Sequence, residues 1–300
     1  MGARDFQFVP MGQRAPEGAV SCDGLVAGAA LDLSHWAKNR TPKALKADTS
    51  VEIALAFLRE ASPADAPSVV VNNHFDADGV LAVWSLLDPE TAAAHAGLLV
   101  AAAEAGDFDE WPAETRGIWL NIAIRRLVTL KPEASAYPIA LAALGELVRT
   151  IEAREDLWGT SYAALLEAER RANAGDVVSY AVGPIRVFHH GPGVPEAPGA
   201  VLSKLGATGE GVRRLLLAFE EPDGSFRYRY ELPRWAWADT VVRPVIAAPS
   251  RHVLAAGLGP EWAMKGVDFA MTTLLRTTAP LHEAPRVMAE RFASIERFEA

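Results

Sequence analysis

Val69-Val70-Val71-Asn72-Asn73-His74-Phe75-Asp76-Ala77-Asp78-Gly79-Val80 is an apolar run that ends in one imidazole and two carboxylates at alternating positions, with glycine next. The short run of β-branched residues reads as a buried strand. Val80, Leu81, Val83, Trp84, Leu86 and Leu87 follow with helical spacing. Strand, acidic loop and helix in that order predict a parallel α/β unit. In an extended loop every second side chain points the same way, so His74, Asp76 and Asp78 are expected to converge on one point. Carboxylate oxygens and a neutral imidazole suit a divalent cation, Mn²⁺ or Mg²⁺. Asp78 or Gly79 falls at the start of the helix, where free N–H groups and the dipole favour anions. Together these features predict a metal-assisted phosphate site.

Working outward, Gly24 to Leu33 reads as a short strand ending in Asp32-Leu33-Ser34-His35-Trp36. Asp48, Thr49 and Ser50 offer N-caps ahead of an amphipathic helix carrying Val51, Ala54, Leu55, Phe57 and Leu58, which Pro63 and Pro67 end. Residues 1–20, rich in Gly, Pro and Arg, read as a loose arm. From Trp84 to Ala174 the pattern is helical and alanine-rich. Beyond Gly175, Val177 to Val182 and Ile185 to Phe188 read as strands, and His189-His190-Gly191-Pro192-Gly193 as a turn. Val212 to Phe219, Pro222-Asp223-Gly224 and Phe226 to Leu232 form a hairpin pattern, and Trp235 to Ile246 continues the β-rich part. The expected organisation is therefore a loose arm (1–20), an α/β domain with a parallel sheet and Ala-rich helices (21–175), and a smaller β-rich α+β lobe (176–300).

Half of the 300 residues are apolar, as in an ordinary globular protein, and the formal charge of −9 argues against coating long nucleic acid. Cys22 is the only cysteine, which excludes intramolecular disulfides and thiolate metal clusters. No uninterrupted apolar run reaches membrane-spanning length, and the cytoplasm is the expected location.

His74-x-Asp76-x-Asp78-Gly79 after a hydrophobic strand resembles the first motif of the DHH phosphoesterase superfamily, which includes nucleases, nanoRNases and manganese pyrophosphatases. The resemblance implies that His74, Asp76 and Asp78 bind a pair of divalent metals and that the fold begins with a parallel α/β domain. The superfamily's downstream Asp-His-His triplet is missing, because Phe188 precedes His189-His190. Asp32 and His35, at another strand end, are the nearest substitute, since several strand ends can deliver ligands to one crevice. They also fit a simple strand-terminal turn. Asp107 reads equally as a bridging carboxylate or a helix cap. Leu31 to Trp36, taken with Asn73 to Asp76, is similar to an uncharacterised bacterial family, a likeness that brings no activity with it.

Phe75-Asp76-Ala77-Asp78-Gly79 also resembles the first motif of haloacid-dehalogenase-type phosphatases, which implies Asp76 as nucleophile. Arg227, Arg229 and Arg243 stand among Tyr228, Tyr230, Trp235 and Trp237, as a phosphate-binding cationic face or as a solvated one. The expectation is a metal-dependent phosphohydrolase with Asp76, Asp78 and His35 as catalytic residues. Its metal ligands would be His74, Asp76, Asp78, Asp107 and Asp32, and Arg227, Arg229 and Arg243 would bind the substrate. That substrate would be a small phosphorylated compound or a short oligonucleotide. A non-catalytic ligand-binding or structural protein is the remaining alternative.

Overall fold

The computed structural model describes residues 6–11, 13, 15–60, 68–264 and 272–298. Two compact units make up the chain: Met1–Ala163 with Ala238–Val245, and Ala164–Trp237 with Ile246–Ala300. Pro63, Pro67 and the first five residues of the expected arm lie outside the described residues.

The first unit contains β1 (Gln7–Phe8), β2 (Val20–Cys22), β3 (Leu31–Leu33), α1 (Ser50–Glu60) and β4 (Val69–Val71). After them come α2 (Ala77–Leu87), α3 (Pro89–Ala94), α4 (Ala96–Asp107), α5 (Arg116–Val128), α6 (Glu133–Thr150) and the start of α7 (Glu155–Arg171). The four strands form one parallel sheet in the order β1-β4-β2-β3. The chain leaves β2 towards β3 on one side and returns through α1 to β4 on the other. Strand order thus reverses at β2, the place where parallel α/β sheets open a crevice at their carboxyl ends.

A capping box fixes the start of α1: Glu52 N donates to Thr49 Oγ1 (3.2 Å), and Thr49 N donates to Glu52 Oε2 (2.9 Å). Helix α2 is apolar all round and every residue from Ala77 to Leu86 is buried, as expected of a central helix. It touches β1, β2 and β4 as well as α1, α4 and α6, so its first turn carries Asp78 into the interior.

Two expectations for this region are corrected. The expected loose arm is not loose over its described residues 6–8, because β1 pairs with β4, Phe6 is buried against Phe57 and Phe8 stacks on Tyr137 at 4.7 Å. Apolar burial and an otherwise open sheet edge hold that segment. The strand expected from Gly24 to Leu33 is only Leu31–Leu33, while its partner β2 lies upstream of Gly24. Gly28, at φ +87°, sits in the loop between them.

The second unit contains β5 (Val177–Val182), β6 (Ile185–His190), α8 (Gly199–Leu202), β7 (Arg214–Glu220) and β8 (Phe226–Glu231). It ends with α9 (Arg251–Gly257), β9 (Trp262–Met264), β10 (Thr273–Thr277) and α10 (Pro285–Glu296). The sheet order is β5-β6-β7-β8-β10-β9, antiparallel except for the β6–β7 pair. The β7–β8 hairpin turns where expected, with Gly224 at φ +79° and Asp223 Oδ1 accepting from Ser225 N (3.0 Å). His189 and His190 end β6, and the turn comes after them. Phe292 of α10 stacks on Tyr230 of β8 at 3.9 Å and anchors the helix on the sheet.

Trp235 to Ile246 does not continue the β-rich part. Arg234–Trp237 is a 3₁₀ turn, and Ala238–Val245 belongs to the first unit. The physical reason is the buried carboxylate of Asp48, which accepts from the backbone N–H groups of Val241, Val242 and Arg243. Among the described residues no helix is long and apolar enough to cross a membrane.

Candidate metal centre

The carboxyl ends of three parallel strands meet at one place. Asp23 follows β2, Ser34 and His35 follow β3, and Asn72 to His74 follow β4. Asp23 adopts φ +61°, a left-handed conformation that Asp tolerates better than most residues, and is fully buried. Gly24 beside it lets the β4 loop approach: its N–H donates to Asn72 Oδ1 (3.1 Å), and a Cβ there would fall 1.9 Å from Asn73 Oδ1. Gly79 has a matching role, since its Cβ would lie 2.5 Å from Asn72 Nδ2 and 3.0 Å from Asp23 Oδ2.

Two groups of donors share Asp23. In the inner group, His35 Nε2 stands 3.3 Å from Asp107 Oδ2, 3.4 Å from Asp23 Oδ1 and 3.6 Å from Asp78 Oδ2. In the outer group, His74 Nε2 lies 2.7 Å from Asp76 Oδ2 and 2.9 Å from Asp23 Oδ2. Within each group one ligand atom per residue lies within 4.8 Å of all the others. His35 and Asp78 are wholly buried, whereas His74 and Asp76 side chains are 24% and 36% exposed, so the outer group faces solvent.

Both groups could hold a divalent cation, and in the inner one hydrogen bonding alone does not account for the geometry. One N–H cannot serve three acceptors at 3.3–3.6 Å, the arrangement around His35 Nε2. Donor atoms about 3 Å apart are what a shell of ligands at roughly 2.0–2.2 Å from one ion requires. The other nitrogen of each imidazole is already engaged: His35 Nδ1 lies 2.7 Å from the Asp48 carbonyl and His74 Nδ1 lies 3.0 Å from Asn73 Oδ1. With a proton on each Nδ1, an ion that displaced the Nε2 proton would find the Nε2 lone pair facing it, the usual outer-shell control of a metal-binding histidine.

Neighbouring elements orient the carboxylates too. Asp78 accepts from Ser50 N (2.7 Å) and Val51 N (2.8 Å) at the start of α1, Asp76 caps α2 through Gly79 N (2.7 Å), and Ser50 Oγ donates to Asp23 Oδ1 (2.9 Å). Asp107, the last residue of α4, brings its carboxyl to His35.

Four carboxylates and two imidazoles in this space cannot all take their ordinary charge states. Two like charges about 4 Å apart repel by roughly 4 kcal/mol at an effective dielectric of 20. Burial pushes Asp78 up to about 7 and raises Asp107 well above the carboxylate range. For Asp23 burial acts upward as well, but the hydrogen bonds offered by His35 and His74 outweigh it and hold this carboxyl low. Against the desolvation that disfavours imidazolium, Asp23 and Asp76 push His74 up to about 11. Burial likewise opposes a charged His35, yet Asp107 and Asp23 raise it. Protons therefore compensate the acids wherever a cation does not. Burial pushes the Cys22 thiol up, so it offers no thiolate.

Of the residues singled out in the sequence, His74, Asp76, Asp78, His35 and Asp107 come together. The first three do not meet at one point, because α2 starts at Ala77 and rotates Asp78 away from the extended alternation into the inner group. Asp32 is not in the cluster: it lies within β3 and is held in a bidentate pair by Arg40, with Nε 3.0 Å from Oδ2 and Nη2 2.9 Å from Oδ1. The three arginines are all engaged. Arg227 pairs with Glu221, Arg229 with Glu196 and Glu231, and Arg243 with Asp48 (2.9 Å), Glu104 (2.8 Å) and Glu110 (2.7 Å). Sequence reading missed Asp23, the residue shared by both groups. Its one local signal is Cys22-Asp23-Gly24 closing a short apolar stretch, an Asp-Gly pair like Asp78-Gly79.

No curated protein matches the chain. Residues 4–292 match a family described as "Family of unknown function (DUF6687)", and the chain, matched over almost its full length, belongs to that family.

Proposed function

We propose that the protein is a metal-dependent phosphoesterase-like hydrolase with a dinuclear centre, acting on a small phosphorylated compound. The observation that carries this reading is Asp23, whose Oδ1 faces His35 and whose Oδ2 faces His74. A carboxylate shared in this way is suited to bridge two cations about 3.5–4 Å apart. Asp23, His35, Asp78 and Asp107 would hold one ion, and Asp23, His74 and Asp76 the other. Bound Mn²⁺ or Mg²⁺ would supply Lewis acidity, acidifying water and neutralising charge that builds on phosphoryl oxygens.

The chain's own residues supply positioning. Asn73 and the Asp48 carbonyl fix the imidazole tautomers, and α1 holds Asp78 through two backbone N–H groups. The exposed edge of the outer group at His74 and Asp76 is the side from which a substrate would approach. Asp76 as a phosphatase nucleophile is a weaker reading. It sits at the N-cap of α2, beyond the end of β4, with Oδ1 bound to Gly79 N and Oδ2 to His74.

The test loads the chain with Mn²⁺ and measures metal by mass spectrometry. Phosphate release is followed from p-nitrophenyl phosphate, bis(p-nitrophenyl) phosphate, pyrophosphate and a short oligonucleotide. Two ions per chain are expected, with Asp23→Asn near zero and at least 100-fold slower. Absence of metal in the wild type would leave the non-catalytic alternative. A trappable acyl-phosphate on Asp76 would instead establish the nucleophile mechanism.

A further inference from the structure

A cavity of about 330 Å³ opens at the outer donor group, lined by Phe75 and Asp76 together with Asn121 and Arg125 of α5. Asn121 and Arg125 are four residues apart, hence on one face of the helix. Gly106 of α4 keeps the floor open, since a Cβ there would lie 3.1 Å from Ala77 Cβ and 3.3 Å from Asn121 Oδ1. Two features point to a ligand. Asn121 is only 7% exposed, yet its carboxamide makes no hydrogen bond to any described residue. Buried amides are normally satisfied, so an unengaged one lining a cavity suits a partner from outside the chain. Arg125 is exposed and makes no ion pair with any described residue, unlike Arg227, Arg229 and Arg243.

We propose that this cavity is the subsite for the part of the substrate beyond the reacting phosphate, and that it takes a small compound bearing a second anionic group, a carboxylate or a second phosphate. This rests on the phosphoesterase reading of the metal centre. Asp76 belongs to both the outer group and the cavity, so a phosphate seated at that group has its organic remainder at the cavity mouth. A guanidinium fork matches a carboxylate or phosphate in two parallel hydrogen bonds. In a chain of net charge −9 a doubly anionic ligand needs such a local cation. Asn121 adds a donor and an acceptor for polar atoms between the two anions, and Phe75 an apolar wall. The volume is at the small end of ligand sites, which run from about 300 to 1,000 Å³, and so selects a small molecule over a polymer.

Binding to the Mn²⁺-loaded full chain tests this without relying on turnover. Titration calorimetry compares phenylphosphonate, 4-phosphonobenzoate and 1,4-benzenediphosphonate. At least one of the two doubly anionic probes should bind tenfold or more tightly than phenylphosphonate, and the better of them identifies the second anion. Arg125→Gln, an exposed position, should bring that ratio close to one. Asn121→Leu should weaken the doubly anionic probes while keeping the melting temperature, because the carboxamide bonds to no described residue. Equal affinities in the wild type, or a preference that survives Arg125→Gln, would overturn the subsite and leave the metal reading standing. Failure of all three probes to bind would overturn the phosphoesterase reading and the subsite with it.

Discussion

Arg214 and Glu296 in the second unit are each only 4% exposed, and Arg214 Nε lies 2.9 Å from Glu296 Oε1 with Nη2 against Oε2. Tyr230 donates its hydroxyl proton to the same carboxylate, and the remaining guanidinium N–H groups reach the carbonyls of Arg213 and Ala247. The buried charges there have their opposites, and Nε, Nη1 and Nη2 of the guanidinium each have an acceptor. The first unit buries Asp23, Asp78 and His35 and sets Asp76, Asp107 and His74 around them, with acids outnumbering imidazoles four to two. Both arrangements hold charge out of water, but the Arg214–Glu296 pair is neutral by itself, whereas the acids of the first unit need added protons or cations to be so. A closed pair serves the fold, whereas an excess of acid around imidazoles facing it through Nε2 is suited to cations from outside.

The comparison breaks most visibly at Glu296. Glu296→Gln leaves the Arg214 guanidinium buried without its carboxylate, which costs about 3–5 kcal/mol. For a unit of this size that lowers the melting temperature by on the order of 10 °C. Metal content should stay at the wild-type value. In Asp107→Asn the pattern should invert: a near-isosteric amide replaces a carboxyl that burial already keeps protonated well above its usual range. The chelated variant should melt within about 2 °C of the chelated wild type, while losing the ion of the inner group. If Asp107→Asn destabilised the chelated protein as much as Glu296→Gln, the acids of the first unit would be structural after all.

Much of the fold, and half of this contrast, were legible in the residues themselves. The Val69–Val71 strand, the polar loop and the all-apolar helix after it carried the α/β reading, and the Pro222-Asp223-Gly224 turn carried the hairpin. Asp23 was not legible, because β2 spans only Val20–Cys22 and is too short to show a period. The more apolar stretch after it drew the strand assignment downstream. Arg243 was not legible either: its partners Asp48 and Glu110 are 195 and 133 residues away in the chain, and only folding reveals that its charge is neutralised. Periodicity reports local faces, whereas charge compensation is a long-range property.

A smaller effect, and a sharper one, is the pH dependence. His74 is pushed up to about 11 from an ordinary 6.5, so its stabilising proton is fully in place below 6.5 and lost as pH rises towards 11. Asp78 acts in the same direction. The unfolded carboxyl ionises near 3.8, while the folded one keeps its proton to about 7, so stability falls across that interval. Asp23, held low, has the opposite sign, and its contribution is lost only as pH falls below the ordinary 3.8. In chelator the melting temperature should therefore decline from pH 5 to 8.5, and the gain on adding Mn²⁺ should grow over the same range as metal displaces protons. A chelated protein that became more stable with rising pH would contradict the charge states argued for the centre.

The smallest expected effect separates Asp32 from its neighbours. Asp32 and His35 stand on one strand end in the sequence, but Arg40 takes both carboxylate oxygens of Asp32, and its guanidinium side chain is 62% exposed. A partner so open to solvent contributes little, and an amide at position 32 still accepts from Arg40 N. Asp32→Asn should cost about 1 kcal/mol or less and leave both ions bound, measured by thermal melting and metal analysis on the same sample. Loss of even one ion in that variant would mean that the carboxylate beside His35 serves the metal centre and that Arg40 merely screens it.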